Sequence, residues 1–339
     1  MTYSVVAISG DGIGPEVMDA TCQVLQAAGA PLAFTFHDAG QAALDKGAGE
    51  LLPSSTIDAI VQAGVALKGP CTTPIGKGFR SVNVALRQTL KLYAAVRPVR
   101  SLPGVKTRYD DVDLVIVREN TEGLYSGIEN EITEDTVISM KVATRPACRR
   151  ISRWAFAYAR DRGRRKVTVL HKANIMKLTD GMFLDEFRKA KADFTDVQAE
   201  EMIIDAAEMR LVQDPSKFDV ILCENLYGDI VSDLCAGMVG GLGVTPGANI
   251  GDECAVFEAV HGSAPDIAGL GIANPLALIM SATMMLNHLS TTRDDELCGQ
   301  VAKRIKAAYD GALAAGESTA DLGGSLDTKG FVRALIARL

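Results

Sequence analysis

The chain has 339 residues, 35 Lys+Arg against 42 Asp+Glu and a formal net charge of −7, a length that suggests about two domains. An evenly mixed acidic chain with only 5% aromatic residues argues against a general nucleic-acid or anionic-membrane binder, although a locally basic site can still hold an anionic substrate. Seven scattered cysteines, none in a CxxC pair, read as reduced thiols of a cytoplasmic protein. No basic leader with an apolar run precedes residues 4–8, and residues 275–286 are too short and too polar for a membrane span.

Residues 4–8 are a β-branched run and predict a first strand. Gly10, Gly12 and Gly14 follow, and Pro15 stands where a first helical turn opens. Val17, Thr21, Val24 and Leu25 then mark one face of a helix reaching Gln26. The GDGIG turn misses the dinucleotide fingerprint GxGxxG because Pro15 takes the place of the last glycine, so a tight βα turn is expected there. Residues 34–36 and 65–67 predict strands, and 54–63 a helix capped by Ser54 or Ser55. Residues 112–117 (VDLVIV), 166–170 and 219–223 are buried-strand runs, each followed by polar or glycine-rich residues and a helical pattern. That alternation predicts an α/β chain with mostly parallel pairing. Residues 128–142 alternate polar and β-branched residues and predict a strand pair or arm. Breaker clusters at Arg97-Pro98 with Leu102-Pro103-Gly104, and at 240–247, suggest two crossing points and hence one domain inserted into another.

Three arginines are candidates for binding an anion. Arg87 lies in a helical pattern, Arg97 stands at its end, and Arg118 directly follows a buried strand, where α/β proteins bind ligands. The guanidinium fork matches a carboxylate or phosphate, although a surface ion pair is the ordinary alternative for each. Ser81, Asn83 and Tyr125 add small donors nearby. Asp229 and Asp233 are spaced i, i+4, so both face one side of a helix and repel each other. A hard divalent cation, Mg²⁺ or Mn²⁺, would relieve that repulsion; a solvated face or a helix cap is the alternative. Lys172 follows another buried strand and could move a proton, whereas His171 reads as structural. Asp205 is a further carboxylate at a strand end. In residues 259–275, AVHGSAPDIAGLGIANP, small residues let backbone amides approach a phosphate. Asp266 there can accept from a ribose hydroxyl and would repel a 2′-phosphate.

Six ordered blocks carry a resemblance: GDGIGPE, KGPCTTPIGKGFRSVNVALRQTLKLYAAVRPVR, VIVRENTEGLYSGIE, VLHKANIMKLTDGMF, ENLYGDIVSDL and FEAVHGSAPDIAGLGIANP. Together, from Ile8 to about Gly324, they resemble the metal-dependent decarboxylating dehydrogenases that act on isocitrate and 3-isopropylmalate. The resemblance implies an α/β, isopropylmalate dehydrogenase-like two-domain fold with a non-Rossmann dinucleotide site. Residues 1–98 plus 251–339 would form the large cofactor-binding domain, and 99–250 a small inserted domain carrying the dimer interface, with 128–142 as its clasp. It also implies roles. Ser81, Asn83, Arg87, Arg97 and Arg118 would bind substrate, and Asp205, Asp229 and Asp233 would hold Mg²⁺ or Mn²⁺. Lys172, with Asp205, would take the hydroxyl proton, and Tyr125 would protonate the product enolate. NAD would lie against Thr73, His261, Gly262, Ser263, Ala264, Pro265, Asp266, Ile267 and Asn274.

Within the family, Ser81 looks like the isocitrate-using branch, since isopropylmalate enzymes place apolar residues in that stretch. The tandem arginines of homoisocitrate enzymes are absent. NADP-using relatives carry Lys-Tyr where Asp266-Ile267 stand, so the NAD form is implied. The implied reaction is oxidative decarboxylation of isocitrate to 2-oxoglutarate. In the family the equivalents of Lys172 and Asp205 come from the neighbouring subunit, which implies a homodimer with shared active sites. A non-catalytic regulatory subunit would be expected to lose some of these positions, and here all are present.

Overall fold

The computed structural model describes residues 2–73 and 81–339; residues 74–80, inside the KGPCTTPIGKGFR block, lie outside the described residues. The strands are β1 (Tyr3–Ile8), β2 (Leu32–His37), β3 (Val65–Lys68), β4 (Ala94–Arg100), β5 (Asp113–Glu119), β6 (Gly123–Thr133), β7 (Thr136–Val142), β8 (Lys166–His171), β9 (Gln198–Ile203), β10 (Val220–Cys223), β11 (Pro246–Ile250) and β12 (Ala255–Ala259). Two compact units emerge, one of Met1–Leu90, Ser101–Asp110 and Ala236–Leu339, the other of Lys91–Arg100 and Asp111–Cys235. The edges of the inserted stretch therefore differ from the expected 99–250. Its far edge falls within helix Asn225–Met238 rather than at the glycine cluster. Arg97 and Pro98, read from sequence as a helix end and a breaker, are strand residues of β4, with Pro98 opposite Val115 in the antiparallel ladder with β5. The proline ring's fixed φ is compatible with extended backbone.

In the first unit the strand order is β2-β1-β3-β12-β11. β1 runs parallel to β2 and β3, and β3 parallel to β12, while β11 is antiparallel to β12. Helix Gly14–Ala27 follows β1 with proline in its first turn and buries Val17, Thr21, Val24 and Leu25, as their spacing predicts. Helix Leu276–Arg293 is apolar nearly all round, and its first eight residues are all buried, so it forms the middle of this core and packs on β11 and β12. Helix Ser54–Ala63 has the predicted span but not the predicted cap. Pro53 is the N-cap, and the Ser54 N–H is met by the Glu50 carboxylate at 3.2 Å. No described helix is long and apolar enough to cross a membrane.

In the second unit the order is β4-β5-β10-β8-β9. β5, β10, β8 and β9 are parallel, and β4 is antiparallel. The three runs read as buried strands are β5, β8 and β10. Helices Arg145–Asp161 and Thr179–Ala192 pack through Phe156 and Phe187, whose rings stack 5.0 Å apart. β6 and β7 pair antiparallel as a separate two-stranded ribbon, the strand pair predicted for 128–142. Its Ile132 and Val137 are 57% and 65% exposed.

Candidate active site

The candidate site residues of the first unit arise from one edge of its sheet. β1, β3 and β12 are parallel neighbours, so the loops after their carboxyl ends emerge side by side. These loops are GDGIG, KGPCTT and AVHGSAP. The glycine loop holds the other two together. Asp11 N–H donates to Pro70 O and Ile13 N–H to Ser263 O, at 2.7 and 2.8 Å. The Asp11 carboxylate accepts the N–H groups of Thr72, Gln41 and Ala42 at 2.6, 3.0 and 2.7 Å. Gly12 is left-handed, with φ 59°, and a Cβ there would lie 2.0 Å from Ser263 O. The glycine turn that misses the dinucleotide fingerprint thus brackets the two neighbouring loops.

β3 and β12 also place two charges in the core. Lys68 ends β3 in register with Glu258 of β12, and their side chains are 2% and 8% exposed. Glu258 lies 2.7 Å from Lys68 Nζ, 3.1 Å from Arg87 and 2.7 Å from the Asn249 amide that donates to it. Burial alone would raise the Glu258 carboxyl, but the two cations and the donated bonds outweigh it and hold the group well below the usual carboxylate range. Burial likewise opposes the charge on Lys68, and Glu258 overcomes it, so the amine is pushed up. One anion faces two cations here, and the cluster keeps a net positive charge. Arg87 Nε and Asn83 Oδ1, both on helix Val82–Thr89, are buried without a partner among the described residues. A bound carboxylate would satisfy the first of these.

Ser81 is exposed at the N-cap of that helix. Thr73, expected at the cofactor, accepts the Val82 N–H at 3.1 Å and so ties the two flanks of 74–80 together. His261 Nδ1 lies 3.0 Å from Gly262 O, while Nε2 is buried with no partner among the described residues and burial lowers the ring's pKa. Gly262, Ser263, Ala264 and Pro265 lead into a short 3-10 turn, Pro265–Ile267, on which the Asp266 carboxylate is exposed. Ala264 adopts φ 39° without being glycine, a strained conformation of the kind found at ligand loops. Asn274 is 8% exposed; its amide donates to Asp321 at 2.9 Å and its oxygen accepts the Leu276 N–H at 2.9 Å. An orphaned imidazole nitrogen beside small residues and an exposed aspartate suits the ribose and base of a dinucleotide.

In the second unit the residues again stand at carboxyl ends. Arg118 is the penultimate residue of β5, Lys172 follows β8, Asp205 follows β9, and helix Asn225–Met238 follows β10. Arg118 is 1% exposed. It bonds Asn225 Oδ1 at 3.0 and 2.7 Å, pairs with Asp229, and lies 5.0 Å from the centroid of the Tyr125 ring. Gly228 makes this possible, since a Cβ there would lie 2.6 Å from Arg118 Cβ and Cγ. The Tyr125 hydroxyl donates to Asp229, and burial together with that carboxylate pushes the phenol up. Arg97 reaches Asp233 at 3.1 Å and Asp229 at 3.5 Å and also bonds Ser232. Asp229 and Asp233 therefore share a helix face, as their spacing predicts, with two arginines and a tyrosine converging on them. Their side chains are 34% and 54% exposed, and their carboxylate oxygens are hard donors of the kind a divalent cation takes, engaged here by Arg97, Arg118 and Tyr125.

Asp205 does not join them. It lies 2.5 Å from Lys172 Nζ, and that ammonium holds the aspartate below its usual value. No group of three His, Cys, Asp or Glu side chains able to hold a metal forms among the described residues. His171 accepts the Ala173 N–H at 3.1 Å, a structural use.

A family model described as isocitrate/isopropylmalate dehydrogenase matches residues 4–335. The chain belongs to that family. It is 48% identical over 332 residues to isocitrate dehydrogenase [NAD] catalytic subunit 5, mitochondrial, of Arabidopsis thaliana, covering 97% of this chain and 87% of that protein. It is 50% identical over 281 residues to the chloroplastic 3-isopropylmalate dehydrogenase of Solanum tuberosum, covering 83% of this chain and 78% of that protein. The crystal structure of isocitrate dehydrogenase from Methylococcus capsulatus superposes with a TM-score of 0.94 at 46% identity, covering 99% of both chains. The expected family fold is thus observed. Within it, Lys68, Glu258, Asn225 and Asp321 join the site residues without having been singled out in the sequence. For Lys68 and Glu258 a signal was present, because each is a charge set inside an apolar strand run, VALKGP and AVFEAV.

Proposed function

We propose that the chain is an NAD-dependent isocitrate dehydrogenase, oxidising and decarboxylating isocitrate to 2-oxoglutarate and CO₂ with a divalent cation bound. The observation that carries this reading is the convergence of Arg97, Arg118 and Tyr125 on Asp229 and Asp233. When bound, NAD⁺ supplies the hydride acceptor and the cation, Mg²⁺ or Mn²⁺, supplies Lewis acidity. Asp229 and Asp233 hold the cation, with Asp205 contributed by a second copy of the chain. Arg87, Arg97 and Arg118 clamp the substrate carboxylates, with Ser81 and Asn83 as donors. Lys172 takes the proton of the substrate hydroxyl, and Tyr125 gives a proton to the carbon that loses CO₂. Thr73, the loop from His261 to Ile267, and Asn274 hold the dinucleotide on the first unit, while the second carries the dimer contact.

Support for a homodimer with shared sites comes from the Lys172–Asp205 pair, which forms no three-ligand group with Asp229 and Asp233 among the described residues, and from the exposed apolar side chains of the β6–β7 ribbon. All seven cysteines are free, which fits a reducing compartment such as the cytoplasm; the Arabidopsis relative is named mitochondrial.

The test is NADH formation by the purified chain alone with Mg²⁺ or Mn²⁺. Turnover on isocitrate with NAD⁺ is expected. The potato relative makes 3-isopropylmalate the second reading. Turnover on that acid alone would keep the chemistry and overturn the reading of Ser81, and inactivity on both would leave homoisocitrate or a regulatory subunit. A further expectation concerns the nucleotide. Asp266→Lys with Ile267→Tyr removes a negative charge and adds phosphate donors. One charge-assisted bond is worth about 1.5–3 kcal/mol, so the NADP/NAD ratio of kcat/KM should rise by roughly 10-fold or more. An unchanged ratio would remove Asp266 from cofactor choice.

A further inference from the structure

Lys172 is held at both ends. Its ammonium meets Asp205, and its backbone N–H donates to Asp180 Oδ2 at 2.7 Å. Asp180 is the second residue of helix Thr179–Ala192, and its side chain is 3% exposed. A carboxylate this buried needs a counter-charge, and Lys141 of β7 provides it, with Nζ 2.6 Å from Asp180 Oδ1. The same ammonium lies 3.5 Å from Glu224 Oε1 and 4.7 Å from the centroid of the Tyr227 ring. Glu224 is tied in turn to the helix that carries Asp229 and Asp233. Its Oε1 accepts the Tyr227 N–H at 3.2 Å and its main-chain carbonyl accepts the Gly228 N–H at 2.9 Å. A continuous set of short contacts therefore runs from the Lys172 backbone through Asp180 and Lys141 to the start of helix Asn225–Met238.

We propose that Asp180 is a positioning residue for Lys172, kept in place by Lys141. The inference rests on the reading of Lys172 as the group that takes the hydroxyl proton. A lysine side chain has a long flexible stem, so its amine is aimed only if the backbone from which it starts is fixed. The Asp180 carboxylate fixes that origin, and Asp205 orients the far end. Proton transfer is sensitive to placement, and an error on the order of 1 Å can lower a rate by about 10²-fold.

The experiment compares Asp180→Asn, Lys141→Met, Lys172→Met and the double variant Asp180→Asn/Lys172→Met, each in the 339-residue chain with isocitrate, NAD⁺ and Mn²⁺. Asp180→Asn and Lys141→Met are each expected to lower kcat by roughly 10-fold while KM for isocitrate stays within about two-fold. In the Lys172→Met background, Asp180→Asn should change kcat no further, because there is no amine left to aim. Equal losses in both backgrounds, or a loss confined to KM and thermal stability, would make Asp180 a structural residue and overturn the proposal. Wild-type kcat in Asp180→Asn and Lys141→Met beside a crippled Lys172→Met would overturn it while leaving the base assignment intact. An active Lys172→Met would instead overturn the assignment on which it rests. Should Asp180→Asn not fold, Lys141→Met decides, since it keeps both the Asp180 carboxyl group and the Lys172 N–H and removes only the charge that holds Asp180 in position.

Discussion

Lys172→Met is expected to lower kcat by about 10²-fold or more, the usual scale of lost acid–base catalysis, and to leave isocitrate binding and the melting temperature close to normal. The reason lies in where the lysine stands. It follows the carboxyl end of a buried strand, and its side chain is 27% exposed, paired with an Asp205 side chain that is 67% exposed. An exposed ion pair contributes little to folding, and the aspartate left behind is solvated by water. Methionine keeps the length and the apolar stem and removes only the group that accepts a proton. The substrate carboxylates are assigned to arginines elsewhere, so KM should move little. Single-turnover NADH formation with a parallel melting curve checks the prediction, and near-normal turnover would remove Lys172 from the mechanism.

The second large effect is on stability. Glu258→Gln should cost about 3 kcal/mol or more, because it leaves Lys68 and Arg87 buried with no counter-charge, and breaking a buried pair costs roughly 3–5 kcal/mol. Their side chains are only 2% and 11% exposed. The loss should depend on pH in a definite sense. The Glu258 carboxyl is held below its unfolded value. Its contribution is therefore fully present above the ordinary glutamate pKa, about 4.3, and is lost as pH falls through that value and below. Lys68 is shifted up, so its contribution is present below the ordinary lysine pKa and is lost as pH rises beyond it. Wild type and Glu258→Gln should thus differ most near neutrality and converge in acid. Denaturant unfolding at pH 7 and near pH 2 tests this, and a gap that stays constant across that range would show that the carboxylate is not the source of the stabilisation. Arg87 also loses its anchor, so KM for isocitrate should rise in the same variant.

What the chain order of residues determines is local or periodic. The runs VDLVIV, VTVL and VILC become buried parallel strands because a strand covered on both faces must be apolar throughout. The spacing of Asp229 and Asp233 sets both on one helix face. The departure of GDGIG from the dinucleotide fingerprint predicts a tight turn, and the structure shows one, with the loop bracketing Pro70 and Ser263. The breaker cluster at Arg97-Pro98 with Leu102-Pro103-Gly104 does hold a unit boundary, at Arg100/Ser101, but Arg97 and Pro98 themselves are strand residues, because β4 accommodates the proline in extended backbone beside β5.

Two things were decided only by the three-dimensional packing. Glu258 meets Lys68 and Arg87 across 190 and 171 positions of sequence, and no window along the chain carries a pairing set by strand register and helix docking. Asp205 separates from Asp229 and Asp233 and takes Lys172 instead, because β9 lies beside β8 while the two aspartates ride on the helix after β10. Sequence by itself determined which residues are chemically capable and which elements hold them, since those follow from side-chain type and from periods of two and 3.6 residues. The tertiary structure decided which of those residues meet, because parallel strands adjacent in a sheet can be far apart in the chain.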